Sequence, residues 1–188
     1  MPRIPLSEKI RPKSFDEMDG QKHLFGENGT IRKLCDQNYL PNMIFYGPPG
    51  TGKTTAAEII ASRSSMCIRR LNATTASLSD IRDVIADTGT LMGANGVLLY
   101  LDEIQYFNKK QQQSLLQFIE DGRISLIAST TENPRLYVYN AILSRSAVFE
   151  FKEVKTDEMV PALKRALDII NKETGTEKTT DDETLEYI

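Results

Sequence analysis

Short apolar runs alternate along the chain with stretches in which apolar residues recur every three or four positions, the pattern of a wound α/β sheet. The runs predict strands at Met43–Tyr46, Cys67–Leu71, Val97–Leu101, Ile124–Ser129 and Ala147–Phe151. The intervening stretches predict helices at Thr30–Asn38, Lys53–Ser62, Leu78–Thr90, Lys109–Glu120 and Asn140–Leu143. Val97-Leu98-Leu99-Tyr100-Leu101 is apolar without a break, as expected of a central parallel strand covered on both faces. After Phe151 the pattern changes. Met159, Val160, Leu163, Ala166, Leu167 and Ile170 fall on one side of a helix, and Thr180 with Glu183 has the spacing of a capping box opening another. An uncovered apolar stripe followed by a helix start so near Ile188 gives the expectation that the chain is a fragment of a longer protein.

Composition narrows the class. The 188 residues are 40% hydrophobic and 26% charged, which excludes a disordered, collagen-like or coiled-coil chain and leaves room for one full domain with part of a second. The net charge of −3, from 23 basic and 26 acidic residues, means that any DNA contact must come from a local basic patch. Cys35 and Cys67 have no metal-site or disulfide-framework spacing and are expected as reduced thiols. No apolar run approaches membrane-spanning length, and Met1-Pro2-Arg3-Ile4-Pro5 lacks the apolar core of a signal peptide, so a cytoplasmic location away from membranes is expected.

The chemistry concentrates in two places. Gly47-Pro48-Pro49-Gly50-Thr51-Gly52-Lys53-Thr54 fits GxxxxGK[ST], the Walker A phosphate loop, between a predicted strand and a predicted helix. Successive backbone N–H groups there can cradle phosphate, because glycines admit a close approach. Lys53 would place its ammonium on the β- and γ-phosphates, and the Thr54 hydroxyl would hold Mg²⁺. The apolar strand then ends in Asp102 and Glu103, the Walker B acids, where ligands of parallel sheets bind. Asp102 would hold Mg²⁺ directly or through a water, and Glu103 would polarise a water for attack on the γ-phosphate. A carboxylate that serves water, with no Arg-rich lid, favours a hydrolase over a small kinase. Thr130-Thr131 at a neighbouring strand end could orient that water. Arg145, within Ser144-Arg145-Ser146, could complete a neighbouring subunit's site.

With these residues in order, the chain resembles the core of an AAA+ ATPase of the clamp-loader clade. More narrowly it resembles the replication-associated recombination ATPases of the RarA/MgsA family, which include the Werner-helicase-interacting ATPase. The resemblance runs from Pro5 to Phe151. It rests on Gly20-Gln21-Lys22-His23-Leu24, Phe107-Asn108-Lys109-Lys110-Gln111-Gln112, Glu120-Asp121-Gly122 and Thr130-Thr131-Glu132-Asn133-Pro134. It implies a P-loop NTPase with a five-stranded parallel sheet sandwiched by helices, followed by the start of a helical lid. The segments implied are an adenine-side stretch 1–21, an ATPase core 22–153 and an incomplete lid 154–188.

The resemblance also implies residue roles. Thr131 would be sensor 1, Arg145 a finger acting in trans, and Asn72 the partner that restrains Glu103 until ligand binds. Arg11, Pro12 and Gly20, in the segment Arg11–Gln21, would wrap the adenine, and Thr55 would follow Thr54 at the nucleotide. ATP or ADP with Mg²⁺ would be the cofactors. Lys109 and Lys110 would touch DNA phosphates, with self-association and a single-stranded-DNA-binding protein as further partners. Asp19, Gln105, Gln113, Gln117, Leu136 and Tyr139 depart from the family pattern, and His23 is assigned no chemistry. The lid's Gly-Asp-x-Arg string does not occur within the 188 residues. The function expected is ATP hydrolysis in replication-fork maintenance and recombination, weak in this chain alone. The alternatives are a clamp-loader subunit or a nucleotide-binding switch or scaffold without useful turnover.

Overall fold

The computed structural model of the chain describes residues 4–187. Met1-Pro2-Arg3, part of the stretch read for a signal peptide, and Ile188 lie outside them, and with them the outer limits of the segments 1–21 and 154–188. Five strands form one sheet: β1 (Asn42–Tyr46), β2 (Cys67–Asn72), β3 (Val97–Asp102), β4 (Ile124–Thr130) and β5 (Ser146–Glu150). All neighbours are parallel, in the order β2-β3-β4-β1-β5.

β3 explains the unbroken apolar run. Its side chains alternate, so Leu98 and Tyr100 enter one core while Leu99 and Leu101 enter the other. The first core is closed by Ala56, Ala57, Ile59 and Ile60 of the helix Lys53–Arg63 and by Ile31 of the helix Thr30–Asp36. The second is closed by Ile81 and Val84 of the helix Leu78–Asp87 and by Leu115 and Ile119 of the helix Lys109–Glu120. Each fully buried aliphatic side chain contributes about 1.5–3 kcal/mol, so this sandwich is what holds the strand ends in place.

Side-chain capping sets the helix boundaries. Ser77 and Asp80 form a capping box ahead of Leu78, and Asn108 and Gln111 form another ahead of Lys109. The predicted Thr30–Asn38 helix ends at Asp36, and Asn38 takes φ 52°. The predicted Leu78–Thr90 helix ends at Asp87, where the Thr88 hydroxyl donates to the Ile85 carbonyl at 2.7 Å. Before the sheet, short helical turns at Leu6–Lys9, Phe15–Glu17 and Lys22–Phe25 carry no periodicity long enough to read from sequence. Aromatic contacts tie them down. Phe15 stacks on Phe25 at 5.2 Å, Phe25 meets Phe151 at 5.9 Å, and Phe151 meets Phe45 at 5.0 Å. The Gln21 carboxamide bonds both the N–H and the carbonyl of Lys152, and the His23 ring meets the Glu150 carbonyl at 3.0 Å.

The amphipathic stretch beyond β5 forms the helix Thr156–Thr174, closed by Gly175 at φ 66°. The next helix spans Asp182–Tyr187. Its cap is Asp181 rather than Thr180. The Asp181 carboxylate accepts from the Thr184 N–H at 2.8 Å, and the Asp181 carbonyl accepts from Leu185 at 3.2 Å. Leu185 is buried and Lys164 pairs with Asp182 at 2.6 Å, so the second helix covers part of the stripe that the sequence leaves open. No helix among the described residues is long and apolar enough to cross a membrane.

Candidate nucleotide-binding site

β1 runs into the loop 47–54, and the loop runs into the helix Lys53–Arg63, beside the carboxyl ends of β3 and β4. Two glycines explain the path. Gly47 has φ 140°, and a Cβ there would lie 2.0 Å from the Phe151 carbonyl oxygen, so no side chain fits where the loop leaves the sheet. Gly50 has φ 76° with open space around it, at the mouth of the loop. The helix that follows leaves its first N–H groups without intrahelical acceptors, next to that mouth.

Lys53 folds back over the loop. Its Nζ donates to the Gly47 carbonyl at 2.8 Å and to the Pro48 carbonyl at 2.7 Å, and the Thr51 hydroxyl braces the same Pro48 oxygen at 2.9 Å. Burial pushes the Lys53 ammonium below its ordinary value, while the nearby Glu103 and Asp102 carboxylates pull the other way. A buried cation whose hydrogen bonds both go to neutral carbonyls is available to charged phosphate oxygens, which make stronger bonds.

The acids emerge from the end of β3. The Tyr100 hydroxyl, only 4% exposed as a residue, meets Thr54 Oγ1 at 3.0 Å, Asp102 Oδ1 at 3.1 Å and Ser129 Oγ at 3.1 Å. Ser129 in turn donates to Asp102. Burial pushes the phenol up to about 12, outweighing the hydrogen bonds that would lower it. Thr54 Oγ1 and Asp102 Oδ1 therefore both lie against the Tyr100 hydroxyl, and hard oxygen atoms of this kind could hold a cation such as Mg²⁺. Glu103 takes the left-handed conformation, φ 56° and ψ 49°, which is unusual for a residue with a side chain. Its N–H donates to Ser129 Oγ at 3.4 Å, and its carboxylate accepts from Gln105 Nε2 at 2.5 Å.

These groups open on a cavity of about 520 Å³ lined by Gly50, Gly52, Lys53, Thr54, Thr55, Asp102, Glu103 and Thr131. Arg11, Pro12 and Asp19 of the N-terminal segment and Ala162 and Arg165 of the helix Thr156–Thr174 complete its wall. A second hollow of about 530 Å³ shares Pro12, Asp19 and Thr55 and adds Pro48, Thr51, Val154 and Met159. Arg11 also donates to Thr55 Oγ1 at 3.4 Å. Asp19 is held by the Arg165 guanidinium, an ion pair bridging the N-terminal segment and the helix Thr156–Thr174. Gly20 (φ 67°) lies behind the wall, where a Cβ would crowd the Val154 methyls at 3.2 Å.

Asn72, Arg145, Lys109 and Lys110 are not brought to this cavity. Asn72 is exposed, and its amide oxygen accepts from the Thr74 N–H at 2.9 Å and from the Thr74 hydroxyl at 2.6 Å, a turn that closes the end of β2. That turn commits Asn72 locally, and Gln105 is the side chain that holds Glu103. Arg145 pairs with Glu120 at 2.7 Å and donates to the Ala141 carbonyl at 2.9 Å, away from the chain's own nucleotide loop. Lys109 lies over the Tyr139 ring at 5.3 Å and Lys110 is exposed, both at the start of their helix. Sequence reasoning missed Tyr100 and Ser129, which read as ordinary strand residues. Strand alternation places Tyr100 on the side of Asp102, and that was the available signal.

Residues 43–154, more than half of the chain, match the family profile described as "ATPase family associated with various cellular activities (AAA)". The replication-associated recombination protein A of Haemophilus influenzae is 40% identical over 182 residues, covering 96% of this chain and 41% of that protein. ATPase WRNIP1 of Dictyostelium discoideum is 40% identical over 166 residues, covering 88% of this chain and 19% of that protein. The chain thus spans about two-fifths or less of these relatives. Among solved structures, the RuvB Holliday junction branch migration motor of Thermotoga maritima superposes with a TM-score of 0.73 at 24% identity, covering 94% of this chain and 58% of that one. That likeness is one of fold.

Proposed function

Because the chain belongs to the AAA family of ATPases, we propose that it is the ATP-hydrolysing part of a replication-associated recombination protein. The observation that carries this reading is the convergence of Lys53, Thr54, Asp102, Glu103 and Thr131 on one cavity beside the glycine-rich loop. In the proposed cycle, ATP enters with its phosphates over the loop amides and its base toward Arg11, Pro12 and Asp19. Lys53 leaves the Gly47 and Pro48 carbonyls for the β- and γ-phosphate oxygens. Thr54 and Asp102 hold Mg²⁺, directly or through a water. When bound, the ion neutralises charge on the transferring phosphoryl group. Glu103 takes the proton of a water whose oxygen bonds to the γ-phosphorus, while the bond to the bridging oxygen breaks and ADP leaves with that electron pair.

Thr131 orients the water, and Arg145 of one subunit serves the site of the next. Asn72 has no part in restraining Glu103 in this arrangement. DNA at a replication fork is the proposed partner, with Lys109 and Lys110 on its phosphates and a single-stranded-DNA-binding protein as a companion. The similarity to replication-associated recombination protein A supports the setting in replication and recombination. The test is Glu103→Gln in the assembled protein. Binding of Mg–ATP is expected to persist, while single-turnover hydrolysis falls by about 10²–10⁴-fold. Undiminished hydrolysis would remove Glu103 from the mechanism. Binding without turnover in the unmodified protein would make the chain a nucleotide-dependent switch.

A further inference from the structure

Gln105 stands one residue beyond the Asp-Glu pair's successor Ile104, on a tight helical turn spanning Ile104–Tyr106. The turn is anchored at both ends. Ile104 is fully buried, and the Tyr106 N–H donates to the Glu103 carbonyl at 3.0 Å. Folding the chain this way returns the Gln105 carboxamide onto the carboxylate two residues earlier, where Nε2 donates to Glu103 Oε2. Glu103 has little freedom to answer. Its backbone is in the left-handed region and its N–H rests on Ser129. The other end of the carboxamide, Oε1, is buried and has no hydrogen-bond partner. Gln105 is therefore held by the carboxylate and by nothing else among the described side chains, at the cost of an unsatisfied acceptor.

We propose that Gln105 is a positioning residue that restrains Glu103, occupying the carboxylate lone pair that would otherwise accept the proton of the attacking water. The proposal rests on Glu103 being the base of the reaction. A donor on that oxygen fixes the carboxylate rotamer against Gln105. The orphaned Oε1 makes the hold reversible, because turning the carboxamide outward gives both of its ends solvent partners. The restraint is local to the sequence, between residues two apart, and needs no contribution from β2.

Two variants separate restraint from support. Gln105→Leu keeps the reach but has no donor, and Gln105→His keeps a donor. Under single-turnover conditions with Mg–ATP, Gln105→Leu is expected to hydrolyse about tenfold faster than the unmodified protein, as a freed base within the range of general-base catalysis would. Its ATP dissociation constant should be unchanged, and Gln105→His should restore the slow rate. A Gln105→Leu rate equal to or below the unmodified one, with affinity intact, would overturn the restraint. If none of the proteins bound ATP, the nucleotide reading would have failed instead. The contact itself would still be tested, through exchange protection of the Gln105 side-chain amide protons by ¹⁵N NMR. Protection lost in Glu103→Ala is the expected result. Rapid exchange in the unmodified protein would overturn the proposal whatever the hydrolysis shows.

Discussion

The carboxyl ends of β1, β3 and β4 and the outer flank around Arg145 carry comparable numbers of charged groups and use them in opposite ways. At the strand ends, Lys53, Thr54, Tyr100, Asp102 and Ser129 are linked by hydrogen bonds to one another or to the loop, largely out of solvent. On the flank, Arg145 pairs with an exposed Glu120, and Lys109 and Lys110 open an exposed helix start. Exposed pairs of that kind contribute little to stability. The first region is a hydrogen-bonded set of groups that one chain orders by itself, whereas the second holds its charges on the surface, where another molecule can take them.

That difference predicts where mutations will register. The largest effect expected is from Arg145→Ala, on turnover by the assembled protein. A finger arginine is worth about 10³-fold or more in rate, and ATP binding by a single chain should not change. Loss of binding in the isolated chain would break the contrast, because it would place Arg145 in its own subunit's site. The smallest effect expected is from Tyr100→Phe, which removes a hydroxyl from Thr54, Asp102 and Ser129. Unfolding free energy should drop by about 1 kcal/mol, measured by denaturant titration.

Tyr100 also gives a pH signature. Its phenol is raised in the folded chain, so the folded state keeps that proton longer than the unfolded one does. The stability tied to it is fully present below the ordinary phenol range and is lost as pH rises through about 12. Ultraviolet titration should therefore show a phenolate step near pH 12 that Tyr100→Phe abolishes. An unchanged titration would mean that the hydroxyl is not buried among those partners.

Much of this is legible in the sequence, for physical reasons that differ by element. The β3 run announces a strand covered on both faces because five apolar residues between Gly96 and Asp102 are too few for a buried helix. The loop 47–54 announces itself because glycines at Gly47 and Gly50 are required by backbone geometry. What could not be read depends on contacts that sequence spacing does not encode. Tyr100 looks like one more apolar residue until Thr54 is brought across from another element. Asn72 looks available for Glu103 until its own turn with Thr74 is seen. Gln105 registers only as a departure from the family pattern until the turn folds it onto Glu103. Asp181 displaces Thr180 as a cap because the helix starts one residue later than the box spacing suggests.

Calorimetric titration of Mg–ATP into the chain and into Lys53→Ala tests directly whether the loop and its lysine form a receptor for nucleotide phosphates. The expected result is saturable one-to-one binding to the unmodified chain, with affinity reduced about 100-fold or more in the variant, a loss of about 2.7 kcal/mol. Equal affinity in both, or no heat with the unmodified chain, would contradict it.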